Sequence, residues 1–196
     1  VDPAHRLSSR LPRRPSRFGR YARAVTREDI HPPMDVGVRL ADPRRDAGSC
    51  AAIYRPVVEQ THSSFEEVAP NPAEMASRME QTLHTLPWLV AEDAHAVLGY
   101  AYASPHRART AYRWSVDISV YLQEDARGRR IGSLLYDRLL RILAAQGYVN
   151  VYAGIALPNP ASVALHRSIG MELVGIYRQV GFKFGRWWDV AWYGLR

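Results

Sequence analysis

Arg113-Trp-Ser-Val-Asp-Ile-Ser-Val-Tyr-Leu122, with Ala126-Arg-Gly-Arg-Arg-Ile-Gly-Ser133 just behind it, is the most informative part of the chain. In the first stretch Trp114, Val116, Ile118, Val120 and Leu122 fall on one side. Ser115, Asp117, Ser119 and Tyr121 fall on the other. This period of two predicts a strand with an apolar face and a polar face that carries a carboxylate. The second stretch leads into Ile131–Ala145, where Ile131, Leu134, Leu135, Leu139, Ile142 and Leu143 recur at helical spacing. A turn that opens a helix presents unpaired backbone N–H groups and the positive end of the helix dipole. Gly128 and Gly132 permit close backbone approach, and Arg127, Arg129 and Arg130 add charge. Phosphate suits such a turn, and so does plain solvation. The spacing is neither a P-loop nor a Gly-x-Gly-x-x-Gly fingerprint.

Outward from this centre the pattern is regular. Val36–Leu40 alternates like a strand, and Pro43–Val58 has helical spacing behind Asp42, a good N-cap. Asn71-Pro72 opens a second helix that runs to about Leu83. Trp88–Ala91 and Val97–Ala103 read as strands joined tightly at Asp93–Ala96. Downstream, Gly147 suits a helix C-terminus and Val149–Leu157 alternates. Asn159 caps a short helix, Pro160–Ser168, and Glu172–Val180 and Trp187–Tyr193 close the chain as strands. The order is strand, two helices, three strands, helix, strand, helix, two strands, which predicts a mixed α/β domain.

The 196 residues and 22.2 kDa fit one domain with an extension. Apolar residues form 47% of the chain, yet its apolar runs are far shorter than a membrane span needs. The net charge of +7 raises nucleic acid as a partner. The charge is local, however. Residues 1–33 hold eight arginines against three acids, while the rest of the chain is near neutral. We therefore expect residues 1–33 to be an arginine-rich, loosely ordered extension and residues 34–196 the folded domain, with Met34 as a candidate native start. A nucleic-acid arm remains the reading from a different functional class. The single cysteine, Cys50, excludes an internal disulfide or a cysteine zinc cluster and reads as a core residue. No metal is expected. A reduced, cytoplasmic setting follows, and the N-terminal segment has no apolar stretch of the secretory kind.

Position and neighbours give the basic turn a resemblance. It is similar to the pyrophosphate-binding turn of the GNAT N-acetyltransferases, and Asn159-Pro-Ala-Ser-Val-Ala-Leu-His166-Arg-Ser-Ile-Gly170 resembles their second signature. More narrowly, the chain resembles the phosphinothricin N-acetyltransferases from about Val38 to Tyr193. The blocks that carry this include Pro87-Trp-Leu-Val-Ala-Glu92, Gly99-Tyr-Ala-Tyr-Ala103 and Ala108-Arg-Thr-Ala-Tyr112. Gly132-Ser-Leu-Leu-Tyr136, Ala145-Gln-Gly-Tyr148 and Gly181-Phe-Lys-Phe-Gly-Arg-Trp187 add to them. The resemblance implies a mixed, mostly antiparallel sheet splayed between its fourth and fifth strands and flanked by four helices. It implies a homodimer, and acetyl transfer from acetyl-CoA to a primary amine in a detoxifying, herbicide- or antibiotic-resistance role.

The resemblance also implies roles for residues. Backbone groups of Val120, Tyr121 and Leu122 would meet the pantetheine arm. Gly128, Arg129, Arg130, Ile131, Gly132 and Ser133 would hold the pyrophosphate, and Asn159 would complete the cofactor site. Phe65, Arg107, Arg109 and Tyr112 would bind the acidic substrate with Asp117 and Tyr121. Elementary chemistry agrees on two points. An ammonium must lose a proton before it attacks a thioester, and a carboxylate on a pocket strand is a suitable base. Asp117 stands there, as base directly or through water. Paired guanidiniums match carboxylates and phosphinates, and in an extended segment Arg107 and Arg109 face the same way. His166 would act as acid or relay, and Tyr121 would contact substrate or the thioester oxygen.

Four positions depart from the family pattern. Asp117 replaces a usual glutamate, and Arg107 a usual lysine. Arg130 replaces a glycine, so its side chain points outward or the turn differs locally. Ala156 replaces a glycine beside the substrate. These changes leave acetyl transfer expected. They open the choice among phosphinothricin, methionine sulfoximine and other acidic amines, and a peptide or protein amine is the alternative within enzymes.

Overall fold

The computed structural model describes residues 35–196. The expectations for residues 1–33, including the nucleic-acid arm, and for Met34 lie outside the described residues. The elements follow the expected order: β1 (Gly37–Leu40), α1 (Pro43–Gln60), α2 (Pro72–Leu83), β2 (Trp88–Glu92), β3 (Val97–Pro105), β4 (Ser115–Leu122), α3 (Ile131–Ala145), β5 (Asn150–Ala156), α4 (Pro160–Ser168), β6 (Glu172–Lys183) and β7 (Arg186–Leu195). Short 3-10 turns at Thr110–Tyr112 and Glu124–Ala126 flank β4. The last two strands are longer than their apolar alternation suggests. A register shift between Tyr177 and Gly181 breaks the period of two that a sequence pattern needs.

The caps act as their residue types require. Asp42 accepts from the Arg44 N–H at 2.9 Å, Asn71 from Glu74 at 2.9 Å and Asn159 from Ser162 at 3.0 Å. Each satisfies a donor that the helix start leaves unpaired.

One seven-stranded sheet runs β1-β2-β3-β4-β5-β7-β6. All neighbours are antiparallel except β4 and β5. That parallel pair holds for only three registers, Ser115 to Asn150, Val116 to Val151 and Asp117 to Tyr152. Beyond Asp117 the two strands part. β4 keeps β3 on its other side up to Leu122, so among the described residues its edge facing the split has no strand partner from Ile118 onward.

Two cores cover the two sheet faces. On one, α1 and α2 bury Cys50, Val58, Met75 and Met79 against Trp88, Val90 and Tyr100. On the other, α3 buries Leu135, Leu139, Leu140 and Leu143 against Val116, Ile118, Val151 and Ile155, with Leu165 of α4 packed beside them. Alternation along β4 therefore sends Val116 and Ile118 to the α3 side and Tyr121 to the α1 side. Cys50 has no exposure, and burial pushes its thiol up to about 12, as expected of an inert core cysteine.

Candidate active site

The split between β4 and β5 opens a cleft of about 520 Å³. Its walls gather Val120, Tyr121, Leu122, Gly128, Arg130, Ile131, Gly132, Ser133, Asn159 and His166. Of the residues expected at the cofactor, Arg129 alone is not in the lining; it is exposed. Arg127 lines the cleft in addition. Three features suit the cleft to a long anionic thioester. The open edge of β4 offers unpaired backbone groups. The first turn of α3 supplies N–H donors and the dipole's positive end. Arg127 and Arg130 stand at the same end.

Arg130 settles how the turn accommodates a side chain. It sits at φ 60°, ψ 10°, the left-handed region, as the N-cap of α3. An arginine there costs about 1 kcal/mol or more, which a glycine would not incur. Arg130→Gly is therefore expected to raise the unfolding midpoint by a few degrees, read by calorimetry; an unchanged or lower midpoint would contradict the strain. Gly132 answers a different need, because a Cβ there would come within 3.1 Å of Leu165. It lets α3 and α4 close together.

His166 is buried in α4, 4% exposed. Its Nδ1–H donates to the Ser162 carbonyl at 2.7 Å, which leaves Nε2 to accept from the Tyr136 hydroxyl at 3.1 Å. Burial holds the imidazole below its ordinary pKa, with the Ser162 carbonyl opposing, so it is neutral near pH 7. Tyr136, fully buried in α3, also lines the cleft and was not anticipated from sequence.

Asp117 lies at the closed end of the split. Its Oδ1 is 2.6 Å from His106 Nδ1. Burial raises the carboxyl above its usual value, and the His106 hydrogen bond and nearby Arg107 oppose that rise. The imidazole stacks on Tyr152 at 4.5 Å and meets the edges of Trp192 and Tyr112, each at 6.0 Å. His106 too escaped the sequence reading, although strand pairing contains the signal. Ser104 lies opposite Asp117, and His106, two residues on, is the diagonal neighbour on the same face. Asp117 and His166 thus have different partners and sit on opposite sides of the sheet.

Of the expected substrate residues Tyr121 lines the cleft, whereas Asp117, Phe65, Arg107, Arg109 and Tyr112 are not in its lining. Residues 106, 108 and 109 lie in bends after β3 ends at Pro105, so Arg107 and Arg109 stand in a loop and not in a continuous strand. Arg107 lies 5.5 Å over Trp192 and donates to the His106 carbonyl at 2.7 Å. Arg109 is exposed and caps the turn leading to Tyr112, which is 44% exposed. Phe65 packs against Gly181, where any Cβ would collide with its ring. Buried Lys183 donates to the carbonyls of Val58 at 2.6 Å and Ser64 at 2.7 Å, tying the Phe65 loop to β6. Tyr121 stacks edge-on against Tyr54 at 4.7 Å, and burial drives its hydroxyl far above the usual range. The Ala156 methyl stands in the cleft wall. Among the described residues no group of three or more His, Cys, Asp or Glu could hold a metal, and no helix is long and apolar enough to cross a membrane.

A sheet split beside a parallel strand pair, with a helix start at its mouth, is the architecture of an acyl-CoA-binding transferase. Residues 41–192 match the acetyltransferase (GNAT) domain family, and the chain is an acetyl-transferring enzyme. It belongs, within the GNAT superfamily, to the phosphinothricin N-acetyltransferase family. The phosphinothricin N-acetyltransferase of Streptomyces coelicolor is 44% identical over 145 residues, 72% of this chain and 85% of that protein. The L-methionine sulfoximine/L-methionine sulfone acetyltransferase of Pseudomonas aeruginosa is 37% identical over 161 residues, 77% of this chain and 92% of that one. A phosphinothricin acetyltransferase from Sinorhizobium meliloti, solved in complex with acetyl-CoA, superposes with a TM-score of 0.78 at 42% identity, covering 82% of this chain and 88% of that one.

Proposed function

We propose that the enzyme moves the acetyl group of acetyl-CoA to the primary amine of a small acidic amino-acid analogue of the phosphinothricin or methionine sulfoximine type. The carrying observation is the division of labour across the split. The anion-ready turn and the neutral His166–Tyr136 pair line the cleft, and the Asp117–His106 pair, with Arg107 and Tyr112 beside it, lies at the closed end of the split outside that lining. Val120 to Leu122 and Gly128 to Ser133 hold the cofactor, with Asn159 at the rim. Asp117 serves as the base that accepts the ammonium proton, directly or through a relay. His166, hydrogen-bonded to Tyr136, supplies or relays a proton to the departing thiolate. Arg107 and Arg109 grip the acid end of the substrate, with Phe65, Tyr112 and Tyr121 shaping the pocket.

A homodimer belongs to the same proposal. Val174, Tyr177, Val180, Phe182, Phe184 and Trp187 are each exposed on β6, β7 and their connection, and apolar side chains gathered on one hairpin suit a partner surface.

Thiol release with acetyl-CoA tests the substrate class. Phosphinothricin and methionine sulfoximine should turn over faster than ordinary amino acids, polyamines and peptides; faster peptide turnover would favour a protein-amine enzyme. Arg109→Ala should raise KM for the acidic amines by about tenfold to a hundredfold, the worth of one charged hydrogen bond, and leave a neutral amine unchanged. Equal loss on a neutral amine would dismiss the grip. The same preparation should sediment as a dimer, and a monomer at micromolar concentration would remove that part.

A further inference from the structure

We propose that His106, through Nε2, is the group that takes the proton from the substrate ammonium, and that Asp117 acts by orienting His106. The inference rests on the base reading above and changes which atom meets the amine. Asp117 has its Oδ1 engaged by His106 Nδ1 at 2.6 Å, short enough for a charge-assisted bond. A carboxylate there fixes Nδ1 as the protonated nitrogen, so Nε2 is left as the basic one. Among the described residues Nε2 has no hydrogen-bond partner.

The ring is held as a working base needs to be. Tyr152 stacks on it, Trp192 meets it at a near right angle and Tyr112 at 66°. The His106 N–H ties the backbone to the Ser115 carbonyl at 3.3 Å. With 14% of its side chain exposed, the imidazole is packed yet reachable. Its surroundings suit an acidic amine: the exposed Arg107 guanidinium passes over Trp192 beside the imidazole. An imidazole is also better matched to an ammonium than a carboxylate is, because its proton affinity lies closer to that of the amine.

The step balances. The ammonium gives one proton to Nε2, and the imidazolium that forms is paired with the Asp117 carboxylate. The amine lone pair then forms the C–N bond to the acetyl carbonyl carbon as the C–S bond breaks. The second nitrogen proton ends on the thiolate, giving the free thiol, and His106 returns its proton to solvent.

The test compares His106→Gln, Asp117→Asn and the double variant in the full chain, with acetyl-CoA and phosphinothricin and with methionine sulfoximine. Each single change should lower kcat a hundredfold or more while KM for acetyl-CoA holds, and the double should fall no further than the worse single, because the pair acts as a unit. His106→Ala should recover activity with added imidazole, a readout that a merely structural role would not move. A His106→Gln enzyme within threefold of wild type, beside an impaired Asp117→Asn, overturns this inference and leaves Asp117 as the direct base. Loss in His106→Ala that imidazole does not restore overturns it as well. If Asp117→Asn is also unimpaired, the base reading itself falls.

Discussion

Asp117→Asn is expected to lower kcat by two to four orders of magnitude while acetyl-CoA binds as in the wild type. The size is that of lost general-base catalysis by a positioned group. The selectivity follows from placement. Asp117 sits at the closed end of the split, on the far side of the sheet from α3 and α4, and shares no hydrogen bond with the basic turn at 127–130. Asparagine keeps the volume and can still accept from His106, so the fold should hold while the negative charge is lost. Steady-state kinetics with methionine sulfoximine and binding of acetyl-CoA to the variant give the two readouts. Near-wild-type kcat across pH would remove Asp117 from the reaction.

The largest expected loss of stability is at Asp46, far from the chemistry. This carboxylate has no exposure, yet it accepts two hydrogen bonds from Arg39, at 2.7 and 2.8 Å, and one from the Asp42 N–H at 2.7 Å. Arg39 reaches on to Glu92 at 2.8 Å, so one guanidinium joins β1, β2 and α1. Asp46→Ala leaves Arg39 partly exposed and still bonded to Glu92, but it removes two charged hydrogen bonds and strands the Asp42 N–H. Asp46→Ala should cost about 2–3 kcal/mol, a sizeable share of the roughly 5–15 kcal/mol that stabilises a typical domain. Chemical denaturation measures this, and a loss below about 1 kcal/mol would show the pair to be dispensable. The pH dependence has a defined sign. Burial alone would raise the Asp46 carboxyl, but the bonds from Arg39 and the Asp42 N–H outweigh it and hold it below the ordinary 3.8. Its folded pKa is therefore the depressed one. The contribution is complete above about pH 3.8 and is lost as acid takes the protein down through the lower, folded value. The wild type should thus lose more stability than Asp46→Ala on acidification.

Local chemistry made most of the fold legible. Asp42, Asn71 and Asn159 cap the helices the sequence assigns to them, because a short acceptor before a proline or an apolar run satisfies donors that helix geometry leaves open. The alternation of Val116, Ile118 and Asp117 marked β4 and its two faces. The basic turn was readable because helix starts bind anions through backbone that sits next to it in sequence.

What depends on contacts between distant residues was not readable. His106 and Asp117 are eleven residues apart, and only the β3–β4 register makes them diagonal neighbours. The Tyr136–His166 bond spans thirty residues and requires α3 and α4 to close over Gly132. Arg107 and Arg109 read as a strand pair, but β3 ends at Pro105 and both stand in the loop that follows it, which the spacing does not reveal. Sequence by itself determined the elements, the β4 carboxylate and the basic turn at the start of α3, since each arises from residues within a few positions of one another. Tertiary structure alone decided which histidine stands at that carboxylate. Sheet pairing puts His106 on the side of Asp117 and leaves His166 on the other.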